Sequence, residues 1–599
     1  MSLKQKSSYS HYKGWLSLSY LALILVLLAG CGAGSDNTAK PTPTPTSALG
    51  AALGPMTPLD LGIPKTALDA PMTGTIPDTQ ILHVGVTFKT NQAVLDKLGK
   101  QGKTTPGEKQ DAGTVANQLG ISDETYQKIK TFFGIENATV KMGKLRTNIT
   151  IDAKAGSFAH LLQTRFVIHK LDDRTFYTPD PTKPPMLPKS IADQILAVTG
   201  LDNYSLAPQH LALPTQPLAP KRANADCQAG PNTILPSQVA HAYGYDQLAK
   251  QGWHGENMTI NLVEIDGFDP NDISNYFQCV GFTGKLESKN IDSDTSPAPG
   301  GEATLDLDMI AGLAPASHII VYQTDISRAQ TFEDVWTQVN DALQQIIEDN
   351  ADNKDSAGVV SISLGMAEKY MTPGNLKAID QSLSVLTQVE HMTVFISSGD
   401  CGAYTSHVYK DLSVSFPASD PFAVSVGGTI LSVNNNGDRA NETVWSDGTD
   451  LSKCHNQWGS GGGLSEAFMQ RPKWQEGDGV TNKYSNGARQ LPDISAVAYD
   501  LAVYYQGRWI PVGGTSAAAP IWASGMILMN QGLIAKKGVY FYGPSLFYAV
   551  ANQHDNNNPY YDVTHGNNLY YAANQGWDYS TGLGTPNLPS FFNILYKNA

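Results

Sequence analysis

The sequence predicts an α/β protein, a parallel sheet with helices on both faces preceded by a small α+β unit, and two observations carry this. From about residue 226 onward, short apolar runs without alternation ("MTINLVEID", "HIIVYQT", "GVVSISLG", "MTVFISSG", "FAVSVGGT") are separated in several places by long helical patterns such as "TFEDVWTQVNDALQQIIEDN". Strands that do not alternate are buried on both faces, and intervening helices supply the crossovers that a parallel sheet needs. Upstream, "ILHVGVTFK" alternates like a half-buried strand, "NQAVLDKLGKQ" has helical spacing, and "FVIHKLDD" and "TFYTP" read as strands, which suits a small α+β sandwich from about Thr79 to Asp180.

A chain of 599 residues is expected to hold at least two domains. Composition shifts divide it into residues 1–30, a Pro/Thr-rich tether at 31–78, the α+β unit at 79–200, a polar and Pro-rich linker at 201–225, and the α/β domain at 226–599. The net charge of -14 argues against a nucleic-acid partner, which would leave a basic patch. At the N-terminus, Lys4, Lys6 and Lys13 precede the apolar run Leu16–Gly30, which is short for a membrane span. It ends in Leu28-Ala29-Gly30-Cys31, which resembles the lipobox of bacterial lipoproteins and implies export, cleavage before Cys31 and a lipid on that thiol. The other four cysteines are an even number, as expected of two disulfides in an exported chain. Three connectivities are open, and order along the chain favours Cys227–Cys279 and Cys401–Cys454.

The chemistry begins at "PVGGTSAAAP". Gly513 and Gly514 permit a tight turn, and Ser516 falls near a helix N-terminus, where backbone N–H groups favour developing negative charge. A serine there is also a common helix cap, so the stretch alone leaves nucleophile and cap open. A nucleophilic serine needs a base. The His-Gly pairs are His254-Gly255 and His565-Gly566, and His254 sits in a polar turn ahead of a strand, the setting of a surface histidine. "PGGEATLDLDMIAGLAP" offers more. Glu302 and Asp306 are one helical turn apart on one face, whereas Asp308 points elsewhere. Two stacked carboxyls cannot both ionise cheaply, so one holds a proton and the pair can pass it. A solvated acidic helix start has the same pattern. Asp400 follows an apolar strand in "SSGDCG", at the end of a parallel strand where α/β proteins build sites. A neutral carboxyl there can donate a hydrogen bond to an oxyanion.

Together, "GGEATLDLD", "SSGDCG", "GGGLSEAFMQRPKWQ", "LPDISAVA" and "GGTSAAAP", in that order, resemble the motifs of the sedolisin family of serine-carboxyl peptidases, above all its kumamolisin-like members. The resemblance implies a subtilisin-like fold and an activation prodomain at 79–200 that acts as intramolecular inhibitor. It also implies maturation in the linker, polypeptide substrates and an acidic pH range. It casts Ser516 as nucleophile, Glu302 as general base, Asp306 as its partner and Asp400 as oxyanion donor. Glu264 matches a glutamate that extends this network in some members, but Leu364 stands where those members have tryptophan, so the network is expected to be shorter here. "YYDVTHGNN" and "NQGWDYSTGLGTP" resemble the family's calcium site, with carboxylates of Asp562 and Asp578 and backbone carbonyls of Val563, Asn574 and Gly576 as ligands to one structural Ca2+. The rival readings are a histidine-dependent subtilisin using His254 and an inactive binding protein on the same scaffold.

Overall fold

Residues 53–78 do not form a tether. In the computed structural model they contribute β1 (Met56–Pro58) and β2 (Met72–Thr75) to the N-terminal unit. Leu53, Met56, Leu59 and Leu61 pack on its core, an apolar set that the surrounding Pro and Gly disguise in the sequence. The structure describes residues 53–599 except 100–101, 135, 173, 209–212, 215–226, 228, 230–232, 326–333, 354–356, 405–410, 448–456 and 554–557. The signal segment, Cys31, much of the linker and Cys454 lie outside the described residues.

In the N-terminal unit, β3 (Ile81–Phe88) lies in a four-stranded antiparallel sheet with β4 (Thr139–Met142), β5 (Asn148–Lys154) and β9 (Ile195–Thr199), in the order β9-β3-β5-β4. Leu82, Val84, Val86 and Phe88 are buried, as alternation requires. A second sheet joins β2 to β6 (Phe166–Leu171) and β7 (Arg174–Pro179), while β1 pairs with β8 (Met186–Pro188). Helices α1 (Gln92–Leu98) and α2 (Ala112–Leu119) are capped by the side chains of Asn91 and Asp111, which accept the orphan N–H groups of Ala93 and Thr114.

The C-terminal domain is built on an eight-stranded sheet. In chain order its relevant elements are β10 (Thr259–Glu264), α3 (Pro270–Val280), β11 (Lys285–Asn290), α4 (Gly301–Leu313), β12 (His318–Gln323), α5 (Val335–Asn350) and β13 (Val359–Ile362). There follow α6 (Pro373–Gln388), β14 (Thr393–Ser397), β15 (Val424–Val433), β16 (Arg439–Val444), β17 (Ile494–Val497), β18 (Leu501–Tyr505), β19 (Arg508–Gly513) and α7 (Thr515–Lys537). The strand order is β11-β12-β10-β13-β14-β15-β16 with β17 beside β15, and every pairing is parallel except β15 with β16. That antiparallel edge strand is the one departure from the expected parallel sheet. The β18–β19 hairpin feeds α7, whose residues from Thr515 to Asn530 are buried.

The Cys227–Cys279 disulfide is formed, and it ties the start of the domain to α3. Cys401 is also disulfide-bonded. The two domains share a seam: Leu95, Val115 and Leu119 of the N-terminal unit lie in one apolar cluster with Trp336, Val339 and Leu343 on the amphipathic face of α5. Three cations of the N-terminal unit meet carboxylates across it. His83 lies 2.5 Å from Asp341, buried Lys109 donates to Glu390 at 2.7 Å, and Lys144 reaches Asp352 at 3.1 Å.

Candidate active site

Three adjacent strands deliver the site to one edge of the sheet. β10 ends at Glu264, β13 ends just before Ser363, and β14 runs out shortly before Asp400. Helices α4 and α7 pack against each other over this edge and bring Glu302, Asp306 and Ser516 to it. The chain enters α7 through Gly514, at φ 154°, a conformation L side chains rarely adopt. Ser516 therefore stands in the first turn of α7, only 3% exposed.

Its hydroxyl lies beside the Glu302 carboxyl and acts on it as a donor, favouring the ionised form. Burial and then the neighbouring Asp306 charge push Glu302 well above the usual carboxylate range, against the lowering effect of Ser516. Burial pushes Asp306 up to about 8. Glu264 approaches Asp306 from β10, close enough for one proton to bridge the two carboxyls, and burial followed by the Asp306 charge raises it as well. Like charges this close in low dielectric cannot all ionise, so the row retains protons into the neutral range. Asp308 faces away, as its position on the helix requires, and accepts the Tyr504 N–H at 2.8 Å.

Asp400 Oδ1 accepts from both the backbone N–H and the hydroxyl of Thr515, at 2.7 Å each. Its Oδ2 is buried without a hydrogen-bond partner, and burial raises the group to about 7. A protonated Asp400 thus has an O–H to donate beside the nucleophile.

Two contributors escaped the sequence reading. Ser363 Oγ donates to Asp306 Oδ2 at 2.6 Å and lies 3.1 Å from the Ser516 carbonyl oxygen. That carbonyl lacks its helical donor because Pro520, four residues on, falls inside α7. Ser363 has one hydroxyl hydrogen. It goes to Asp306 when that group is ionised, and is released to the Ser516 carbonyl when Asp306 itself donates. Thr515 is the second, and only its place between Gly514 and Ser516 signals it. Leu364 is buried in the apolar core, so it adds nothing polar to the network. His254 precedes β10 and sits at the opposite edge of the sheet, bonded to Glu256 and Ala316 through its backbone.

At the C-terminal loops, Asp562 Oδ2 accepts the Gly576 N–H at 2.9 Å, and Asp578 accepts the N–H groups of Asn574, Ser580 and Thr581. Burial lifts Asp578 to about 7, with the charge of Asp562 adding to it. Two mutually repelling carboxylates held by turns on carbonyl-rich loops are a donor set that a hard divalent cation suits.

The linker is described at Leu213–Pro214, which pairs antiparallel with β19, Leu213 opposite Gly513 and Pro214 opposite Val512. It therefore runs along the strand that leads to Ser516.

The fold and the serine–carboxyl row define a subtilisin-like peptidase. Residues 289–535 match the subtilase family, and residues 74–204 match the pro-kumamolisin activation domain. The chain is 30% identical to kumamolisin of Bacillus sp. (strain MN-32), over 67% of this chain and 70% of that protein. It is 29% identical to sedolisin of Pseudomonas sp. (strain 101), over 76% of each. The solved structure of Pseudomonas sedolisin complexed with two molecules of pseudo-iodotyrostatin aligns at TM-score 0.51 and 27% identity, covering 62% of this chain and 99% of that one. Tripeptidyl-peptidase 1 of Dictyostelium discoideum is 26% identical over 59% of this chain and 57% of that protein. The chain belongs to the sedolisin family of serine-carboxyl peptidases, kumamolisin-like, with an N-terminal activation prodomain.

Proposed function

We propose that this peptidase is an exported, acid-acting endopeptidase made as a self-processed precursor. The observation that carries the reading is the Ser516 hydroxyl set beside Glu302 within a buried row of carboxyls. Ser516 Oγ attacks the scissile carbonyl while Glu302 takes its proton, giving an acyl-enzyme that water then hydrolyses. Asp306, holding a proton between Glu264 and Ser363, keeps Glu302 basic and oriented. Protonated Asp400 donates to the oxyanion, as backbone donors do in other serine peptidases. Rising pH strips the proton from Asp400 and from the carboxyl row, and falling pH fills that row until Glu302 too is protonated and no base is left, so activity is bell-shaped with its optimum on the acid side.

The pairing of Leu213–Pro214 with β19 supports self-cleavage in the linker, since it lays that segment along the approach to Ser516. Asp562 and Asp578, with the carbonyls of Val563, Asn574 and Gly576, would hold a structural Ca2+ that ties the C-terminal loops together. The lipid attachment at Cys31 lies on the prodomain side of the cut, so maturation would release the catalytic domain from the membrane. A mature domain that stays membrane-bound after washing would contradict this.

A casein and peptide digestion profile from about pH 3 to about pH 8 tests the mechanism. Ser516→Ala and Glu302→Gln should each abolish turnover, while His254→Ala leaves it unchanged. Cleavage of substrates with blocked N-termini separates endopeptidase from tripeptidyl release. Activity surviving both active-site substitutions sinks the reading.

A further inference from the structure

Two carboxyls at the end of β10 and in the bend just after it, Glu264 and Asp266, face two on the helix α4. Glu264 and Asp266 are two apart where β10 ends, and Glu302 and Asp306 are four apart on α4. The contacts follow that register. Glu264 meets Asp306, and one step on Asp266 meets the first turn at Glu302.

Asp266 does so through the backbone. Its Oδ2 accepts the Glu302 N–H at 3.3 Å and its Oδ1 accepts the Ala303 N–H at 3.1 Å. These are orphan donors of a helix whose own N-cap, Gly300, has no side chain to satisfy them. The carboxylate comes so close that a Cβ on Gly300 would lie 1.6 Å from Asp266 Oδ2. Gly300 is therefore glycine for space, since its φ of -121° is open to any residue. Backbone bonds from Gly267 N–H to Ala298 O (2.9 Å) and from Gly300 N–H to Gly267 O (2.7 Å) clamp the two loops together.

We propose that Asp266 is a positioning residue for the catalytic carboxyls: it caps the helix that carries Glu302 and Asp306, and its charge sets the alkaline limit of activity. This rests on the serine-carboxyl reading above. The groups acting on Glu302 are Asp306 on its own helix, Ser516 on α7, Asp266 after β10 and Asp400 after β14. Those acting on Glu264 are Asp306, Asp266 and Glu302. Asp266 raises the proton affinity of Glu264, Glu302 and Asp306 alike. Its own charge is balanced by the two N–H groups and the positive end of α4.

The test uses the full chain, matured by itself in acid, with pH profiles of kcat and KM. Asp266→Asn keeps the size and an acceptor for the helix and removes the charge. It should retain kcat at its optimum while the alkaline limb moves to lower pH by about half a unit or more. Asp266→Ala removes cap and charge, and should lower kcat about tenfold with KM little changed, with Asn rescuing that loss. An Asn variant whose alkaline limb superimposes on wild type, or an Ala variant with wild-type kcat, overturns the proposal. Ser516→Ala, run alongside, separates the two readings. If it retains activity, the serine-carboxyl mechanism fails; if it is dead and the Asn limb does not move, only the role of Asp266 fails.

Discussion

Two clusters of buried charge sit in the same domain and do opposite things. Around Asp493, Arg489 is fully buried and bonds both carboxylate oxygens, at 2.8 and 2.5 Å, while the Tyr548 hydroxyl and the Ser425 N–H donate as well. Every charge there has an opposite partner. Around Ser516, burial first and neighbouring carboxyls after it push Glu264, Glu302, Asp306 and Asp400 all upward. The ion-paired cluster stores structure, and the carboxyl-rich one stores protons. The interdomain seam is a third case, in which carboxylates such as Glu390 are paired by a cation from the other domain.

The largest effect expected from breaking this contrast is Glu302→Gln, which should cut kcat/KM by about 10³-fold or more. Its stability should move the other way. A carboxyl raised in the folded state holds a proton that the unfolded chain releases near its ordinary value. Folding stability therefore falls as pH rises from the ordinary glutamate range through the raised value. Wild type should lose thermal stability from mild acid to neutral pH, and Glu302→Gln should flatten that slope in a calorimetric series. A Gln variant with the wild-type slope would remove Glu302 from the proton store.

At the paired cluster, Arg489→Leu strands Asp493 and should cost about 3–5 kcal/mol of unfolding free energy, measured by denaturant titration of the Ser516→Ala chain. Across the seam, Lys109→Met leaves Glu390 buried without its cation. It should raise the peptide-hydrolysing activity of the uncleaved precursor about tenfold or more, with the mature enzyme unaffected. An equally latent precursor would mean that the apolar contacts of Leu95, Val115 and Leu119 hold the prodomain alone.

Much of this was legible in sequence because it depends on local spacing. The apolar runs announced the parallel sheet, and the four-residue interval placed Glu302 and Asp306 on one face. What stayed hidden depends on register between distant segments. Asp266 is an unremarked turn residue until β10 is laid against α4, and Ser363 is one serine among several until β13 ends beside α7. Residues 53–78 were misread for a related reason: their few apolar side chains have no period, and only pairing with β6 and β8 shows them to be strands.

Ser363 supplies the smallest and most discriminating effect. Its hydroxyl stands between Asp306 Oδ2 and the Ser516 carbonyl that Pro520 deprives of a donor. Ser363→Ala removes both contacts without opening a cavity larger than one oxygen, so the fold should survive. The nucleophile's turn then loses a tether and Asp306 loses a partner, and kcat should fall about tenfold, one or two hydrogen bonds' worth. KM should barely move, since Ser363 is buried beneath the carboxyls. Ser363→Thr keeps the hydroxyl and should recover most of the rate. If Ala and Thr are equally impaired, the position matters for packing, and the proton row ends at Asp306 and Glu264 without reaching the nucleophile's backbone.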